Sequence, residues 1–326
     1  MSAMNRREFG LSTVATLCAS AGLLPATAAR AAGYPEREIT MVVNFGAGGV
    51  TDLMSRALAR GMEAKLGKTI VITNRPGALG TLGPGYVAKQ KPDGYTLATV
   101  SASATTITPH LMNVAFQPSE LQFIAGYGVN RYGIVVRADS PYKSVEDVIK
   151  AAKGSQSMMF GSPSMPNSLL LFLLGKQTGG KFELVQYKSG PEAASALIGG
   201  QVELIVPNPP DVMSHIKSGR LRLLASASTA RWPEFPDVPT LKESGYDVAY
   251  DAWVGLAAPA GTPVEVIAKL QDAVEASVRD PKTREAYANV GAAAAFMPGA
   301  AYSEFLAKER AQMKQLIEDV GVKRVS

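Results

Sequence analysis

Only one cysteine occurs in the chain, Cys18. That scarcity excludes disulfide staples, thiolate metal sites and a cysteine nucleophile from everything after it. Histidine is nearly as rare: His110 and His215 stand far apart, and neither belongs to a His-Glu-x-x-His zinc helix. A Gly-x-Ser-x-Gly nucleophile elbow and a phosphate loop ending in Gly-Lys-Ser/Thr are missing too. Without a nucleophile beside a base, an enzyme has no residues to stand on. Charge of one sign does not dominate: 33 basic against 28 acidic residues give a net +5, too mild and dispersed for a nucleic-acid partner. Neither a cofactor nor a metal is expected.

What is present begins with the first thirty-one residues. Asn5-Arg6-Arg7-Glu8-Phe9 is a paired-arginine start, a mostly apolar stretch runs from Leu11 to Leu24, and Ala29-Arg30-Ala31 is a small-x-small cleavage signal. That order is a secretory signal peptide of twin-arginine type. Its apolar run is broken by Ser12, Thr13, Thr16, Cys18 and Ser20, too short and too polar for a membrane anchor. Leu17 before Cys18 also argues against a lipoprotein. Removing residues 1–31 takes out Arg6, Arg7, Arg30 and Glu8, leaving 30 basic and 27 acidic residues over 295 positions. An exported, globular protein of two lobes is expected, without stable membrane insertion and monomeric.

Strand-like and helix-like stretches alternate along this length. Ile39–Val43, Ile70–Thr73 and Tyr95–Val100 read as strands, with helices at Asp52–Leu66 and around Gly85–Lys89. A second series reads Ile134–Val136, helix Val145–Lys153, Met158–Phe160, helix Ser168–Thr178, Phe182–Gln186 and helix Pro191–Ile198. It closes with Val202–Val206, helix Val212–Ser218 and Leu221–Ala225. Two long helices end the chain, Pro263–Arg279 behind a Thr262 cap and Ala301–Val320. The class is α/β, with parallel or mixed sheets flanked by helices. Crossovers near 128–133 and at Pro259–Pro263 divide it into one lobe of 34–130 plus 259–326 and another of 131–258, with a ligand cleft between them.

The loops at strand ends carry the chemistry. Gly46-Ala47-Gly48-Gly49-Val50-Thr51-Asp52 joins the first strand to its helix, and its glycines turn several N–H groups toward one point beside a positive helix end. This is an anion cradle, unless Asp52 merely caps the helix. The dinucleotide pattern fails because Thr51 holds the third glycine position. Asn74-Arg75-Pro76-Gly77-Ala78-Leu79-Gly80-Thr81 follows the second strand in the same way, so both loops open at one sheet edge. Ser101–Thr106, Gly161-Ser162-Pro163-Ser164 with Asn167, and Pro207-Asn208-Pro209-Pro210-Asp211 repeat the placement.

In combination these strings resemble the Bug family, the extracytoplasmic solute receptors of tripartite tricarboxylate transporters. The resemblance runs from Tyr34-Pro35-Glu36-Arg37 through Gly46–Gly49, Asn74–Ala78, Pro92–Leu97, Tyr187-Lys188, Leu197–Val202, Gly219–Arg222 and Pro236–Thr240 to Ala258–Pro263. It implies a type II periplasmic-binding-protein fold that closes on a small carboxylate, with transporter membrane subunits or a sensor kinase as partners. It also implies ligand contacts at Ala47, Gly48, Gly49, Val50, Thr51 and Asp52, and at Ala78, Leu79, Gly80 and Thr81. Ser101 and Ser103 in the first lobe, and Ser162, Asn167 and Asn208 in the second, complete the set.

Departures from the family pattern are Asn44 for a proline, Leu79 for a glycine, Met165-Pro166 in a small-residue loop, and Leu169 or Leu170 for a histidine. They suggest a bulkier, less polar pocket floor and an aromatic or branched monocarboxylate in preference to citrate. Two rival readings remain: a hydrolase using Ser162 or Ser164, and a receptor for a non-carboxylate ring stacked on Trp253 and Tyr250, both of which are alternatively core residues.

Overall fold

The computed structural model describes residues 33–163 and 165–319. The segment read as a signal peptide, Ser164, and Val320 with the residues after it lie outside these. The chain opens with β1 (Ile39–Val43), α1 (Val50–Leu66), β2 (Ile70–Asn74), α2 (Leu82–Val87) and β3 (Thr96–Ser101). β1 pairs in parallel with both β2 and β3, so the three carboxyl ends share one edge. The β-branched run of β1 is almost wholly buried, as a strand covered on both faces must be. Helix α1 buries Met54, Ala57, Leu58 and Met62, the 3.6-residue spacing of one face. Each such leucine or methionine contributes roughly 2 kcal/mol relative to exposure.

After short helices α3 (Ala102–Thr106) and α4 (Thr108–Leu111), strand β4 (Leu121–Asn130) ends the first passage and β5 (Gly133–Arg137) begins a second sheet. There follow α5 (Val145–Ala152), β6 (Met158–Ser162), α6 (Met165–Thr178), β7 (Phe182–Gln186), α7 (Gly190–Ile198), β8 (Leu204–Ile205), α8 (Pro209–Lys217) and β9 (Leu221–Ser226). The chain then returns as β10 (Ala252–Pro259), α9 (Val264–Arg279), α10 (Pro281–Asn289), β11 (Ala292–Pro298) and α11 (Gly299–Asp319). Strand order is β11-β4-β10-β3-β1-β2 in the six-stranded sheet and β7-β6-β8-β5-β9 in the five-stranded one. Both are mixed, with β6 parallel to β7 and β8 and β5 antiparallel to its neighbours.

Three expectations are corrected here. The return between sheets precedes Ala252 instead of falling at Pro259–Pro263, because β10 inserts between β3 and β4, antiparallel to both, and buries all but Trp253. The second sheet's segment therefore ends before 252, not at 258. Thr262 does not cap α9: its hydroxyl donates to the Pro259 carbonyl, and the N-cap position is Pro263. Nor does α11 belong to one side alone. Tyr302 and Leu306 enter a core under the first sheet, while Met313, Leu316 and Ile317 enter the core of the second.

The two crossing segments are laced together. The Tyr132 carbonyl accepts from the Ala227 N–H and from Trp232 Nε1, the Tyr132 N–H donates to Ser228 Oγ, and Tyr250 N–H donates to the Ala227 carbonyl. Buried Arg131 forks onto both carboxylate oxygens of Glu234 at 2.9 Å and donates to the Gly291 carbonyl.

Candidate functional site

Parallel pairing brings the loops after β1, β2 and β3 together, and Asn44 stitches them. This fully buried residue takes up both functions of the Thr99 hydroxyl: its N–H donates to Thr99 Oγ1 at 3.1 Å and its Oδ1 accepts from it at 3.0 Å. Its Nδ2 donates to the Gly80 carbonyl at 3.1 Å and to Ser101 Oγ at 3.3 Å. One side chain thus ties the first loop to the second and to the end of β3.

Asp52 performs the matching task from inside. It is 1% exposed; its Oδ2 accepts from the Gly48 N–H and Arg56 Nε, each at 2.9 Å, and its Oδ1 from Asn74 Nδ2 at 2.8 Å. Asn74 Nδ2 also donates to the Phe45 carbonyl at 2.9 Å. Burial pushes the Asp52 carboxyl up, but the hydrogen bonds from Arg56, Gly48 and Asn74 outweigh it and hold it below the usual carboxylate range. Gly49 is the N-cap of α1, with Asp52 in the first turn. The first-turn N–H groups beyond Gly49 have no intrahelical partner and stay available to a ligand.

The second loop has an unusual backbone. Gly77, Ala78, Leu79 and Gly80 all have positive φ, of 128°, 47°, 52° and 86°. Ala78 and Leu79 lack a glycine's freedom there, at a cost of order 1–2 kcal/mol each. Hydrogen bonds from Gly80 N–H to Gly77, from Thr81 N–H and Oγ1 to Ala78, and from Asn44 to Gly80 over-determine the turn, and it holds the Leu79 side chain 57% exposed at the cleft. Leu79→Gly is therefore expected to leave stability within about 1 kcal/mol of the parent or above it, readable in a urea melt. A loss of several kcal/mol would mean that the Leu79 side chain supports the loop.

From the other sheet, the carboxyl ends of β6, β7 and β8 likewise share an edge. Asn167, 2% exposed, donates from Nδ2 to the Val206 carbonyl at 2.6 Å. Asn208 is the N-cap of α8; its Nδ2 donates to the Arg131 carbonyl at 2.8 Å and so fixes the crossing segment. The Asp211 carboxyl behind it is pushed up to about 6 by burial, against the opposing hydrogen bond from Asn208 N–H.

The two edges face one cavity of about 690 Å³, within the range of small-molecule sites. Of the expected residues, Ala47, Gly49, Val50, Thr51, Leu79, Ser101, Ser103, Asn167 and Asn208 are on its wall. Gly48, Asp52, Ala78, Gly80, Thr81 and Ser162 are not. The Gly48 N–H and the Asp52 carboxylate are spent on each other, Ala78, Gly80 and Thr81 hold their own turn, and Ser162 is wholly buried. Sequence reasoning missed Ile107, Thr108 and Leu111 from α3–α4, Asn130 and Tyr132 at the first crossing, Ser189, and Lys188 as a wall residue. Among the described residues no Asp or Glu lies on the wall, and Lys188 is its one charged side chain. Met165 and Pro166 do reach the wall, but Leu169 and Leu170 are core residues, so the expected apolar floor is only partly formed.

Neither ring proposed for stacking meets the cleft. Tyr250 stacks on Tyr132, with centroids 6.0 Å apart, and Trp253 packs against Tyr302 and Phe305. Neither histidine is on this wall: His110 engages the Arg310 carbonyl and His215 the Arg220 guanidinium. Among the described residues no three His, Cys, Asp or Glu side chains cluster as a metal site, and no helix is long and apolar enough to cross a membrane.

Comparison with known proteins agrees with this geometry. Residues 54–322 match the model of the tripartite tricarboxylate transporter family receptor. The chain belongs to that family. The chain is 32% identical to the protein BugT of Bordetella pertussis over 96% of its own length and 98% of the relative's. A solute-binding protein from Polaromonas superposes with a TM-score of 0.78 at 31% identity, covering 88% of this chain and 99% of the other. An R. palustris protein solved with adipate gives 0.77 at 25% identity over 90% and 100% of the two chains. MatC from Rhodopseudomonas palustris, with bound malate, gives 0.72 at 25% over 87% and 100%. The fold and the family are those of solute-binding receptors and not of enzymes.

Proposed function

We propose that this receptor is exported to the periplasm with residues 1–31 removed, and captures a small organic carboxylate by closing two units on it. The units are residues 33–130 with 252–298, and 131–251, turning about the laced segments at 131–132 and 227–251. The carrying observation is a cleft built from loop and helix-start amides and hydroxyls of both sheets, with no acidic side chain on its wall. Such a site favours an anion, because helix N-termini and unpaired N–H groups carry partial positive charge. The adipate and malate held by two structural neighbours support the same chemistry. First-unit loops bind the carboxylate, and closure adds the contacts of Asn167, Ser189 and Asn208. The loaded form is then read by transporter membrane subunits or by a sensor kinase.

A thermal-shift screen of the protein from residue 32 onward tests this with mono-, di- and tricarboxylates, aromatic acids and neutral analogues. Ligand at one hundred times its Kd stabilises by about 2.7 kcal/mol, a rise of about 4 °C at this size. The expected result is a response confined to acids. A flat response to every carboxylate, or hits only among neutral compounds, would overturn the reading.

A further inference from the structure

We infer that Lys188 is the residue with which the second unit reads a second carboxylate, so that aliphatic diacids are preferred over monoacids and over tricarboxylates. This rests on the carboxylate-receptor reading and deepens it. The wall of the cleft is divided by chemistry. The first unit supplies the amides at the start of α1 and the hydroxyls of Ser101 and Ser103. A belt of Leu79, Ile107, Leu111, Tyr132 and Met165 offers aliphatic and aromatic surface. The third feature is Lys188, a wall residue in the turn between β7 and α7.

Lys188 is exposed and forms no ion pair among the described residues. The acid nearest in sequence, Glu192, has one oxygen committed to the Lys188 backbone N–H at 2.8 Å, where it completes the start of α7 beside the Ser189 cap. The side-chain charge of this wall residue is therefore left without a counter-ion among the described residues.

Closure removes water from that charge. An acid with a single carboxylate, seated in the first-unit cradle, would present its apolar end to the ammonium and leave a cation desolvated without a partner, which is unfavourable. A diacid supplies the counter-charge, and its methylene chain lies along the apolar belt. A tricarboxylate brings a third anionic group to a wall with no second cation to meet it. Sites built to satisfy one polar group reject analogues lacking it more sharply than apolar pockets reject extra bulk.

The test is isothermal titration of the protein with straight-chain α,ω-diacids of four to seven carbons, adipate among them, and with the monoacid of each length. The readout is the ratio of diacid to monoacid affinity in the same protein. In the parent the ratio is expected at about 10- to 100-fold for at least one length, the worth of a charge-assisted hydrogen bond. Lys188→Met should bring it close to one, and Lys188→Arg should keep it well above one; a melt of each variant confirms folding. A ratio near one in the parent, or a ratio unchanged in Lys188→Met, overturns the assignment while the receptor reading stands. Binding of neither diacids nor monoacids also overturns the assignment, whereas the receptor reading falls only if the thermal screen is flat to every carboxylate or responds to neutral compounds alone.

Discussion

Asp52→Ala is expected to weaken carboxylate binding by about 10- to 100-fold although Asp52 does not touch the cleft. The buried carboxylate accepts from the Gly48 N–H, from Arg56 and from Asn74, so it holds the first loop and the start of the second at once. A charge-assisted hydrogen bond is worth roughly 1.5–3 kcal/mol net. Losing the Gly48 bond releases the turn that aims the first-turn amides of α1. Affinity then falls because those amides must be ordered at the moment of binding. Half-exposed Arg56 can regain water, which limits the loss of folding stability to about 2 kcal/mol. Titration calorimetry with the acid found by the thermal screen gives the first number and urea unfolding the second. Asp52→Asn, which keeps acceptor capacity at Oδ1, should fall between. An Asp52→Ala protein that binds like the parent would show that Asn44 alone holds the cradle.

Glu309→Gln is expected to stabilise the protein at pH 8 and to leave it nearly unchanged at pH 5. Glu309 is 6% exposed on the buried face of α11, where the helix passes from one core to the other. Neither carboxylate oxygen has a hydrogen-bond partner of normal geometry, and the same is true of the neighbouring Tyr250 hydroxyl. Burial pushes the carboxyl up to about 7; Tyr250 opposes this and the charge of Asp251 adds to it. Below about pH 4.5 the group is protonated in folded and unfolded chains alike and costs nothing. Between about 4.5 and 7 the unfolded chain gives up its proton first, so stability falls as pH rises. Above 7 the full penalty applies, of about 3 kcal/mol. Removing it should raise Tm at pH 8 by roughly 5 °C or more. Asp211, pushed up to about 6, titrates in an overlapping window, but it is present in parent and variant alike, so the difference between the two isolates Glu309. A difference between parent and variant that does not change from pH 5 to 8 would show that Glu309 is ionised throughout.

Where local pattern decides structure, the chain was legible. β1 and β7 lie at the expected residues, and the helices that were expected fall within a turn or so, because their periodicity and turn residues are local, whereas α3, α4 and α10 were not expected. The three strands that escaped, β4, β10 and β11, share a cause: their composition answers to neighbours distant in sequence. Gly126 and Gly128 interrupt β4 because Trp253 and Tyr302 press on one and Met54 and Tyr287 on the other. Gly255 in β10 lies under Tyr302 in the same way. Read alone, such glycines look like turns, and the alanine run of β11 has no strand signature at all.

The site divides along the same line. Loops after parallel strands could be assigned to one edge from topology alone, which is why Ala47, Gly49, Val50, Thr51, Ser101, Asn167 and Asn208 reached the wall. Which side chains in those loops face inward was not legible: Asp52 and Gly48 turned out to serve the scaffold. Tyr132 and the α3–α4 residues belong to the cleft only because the two sheets meet there, and no local signal announces that.

Helix α11 sets a limit on dissecting the protein. Its first half, through Tyr302 and Leu306, is seated with Phe123, its second half with Ile134, Val136 and Leu171, and its end is tied to Lys176 by Asp319. Residues 131–251 expressed alone would leave a core open where Met313, Leu316 and Ile317 belong. A stand-alone fragment, or a permuted chain with new ends at the crossing, has to carry residues 306–319 along with it.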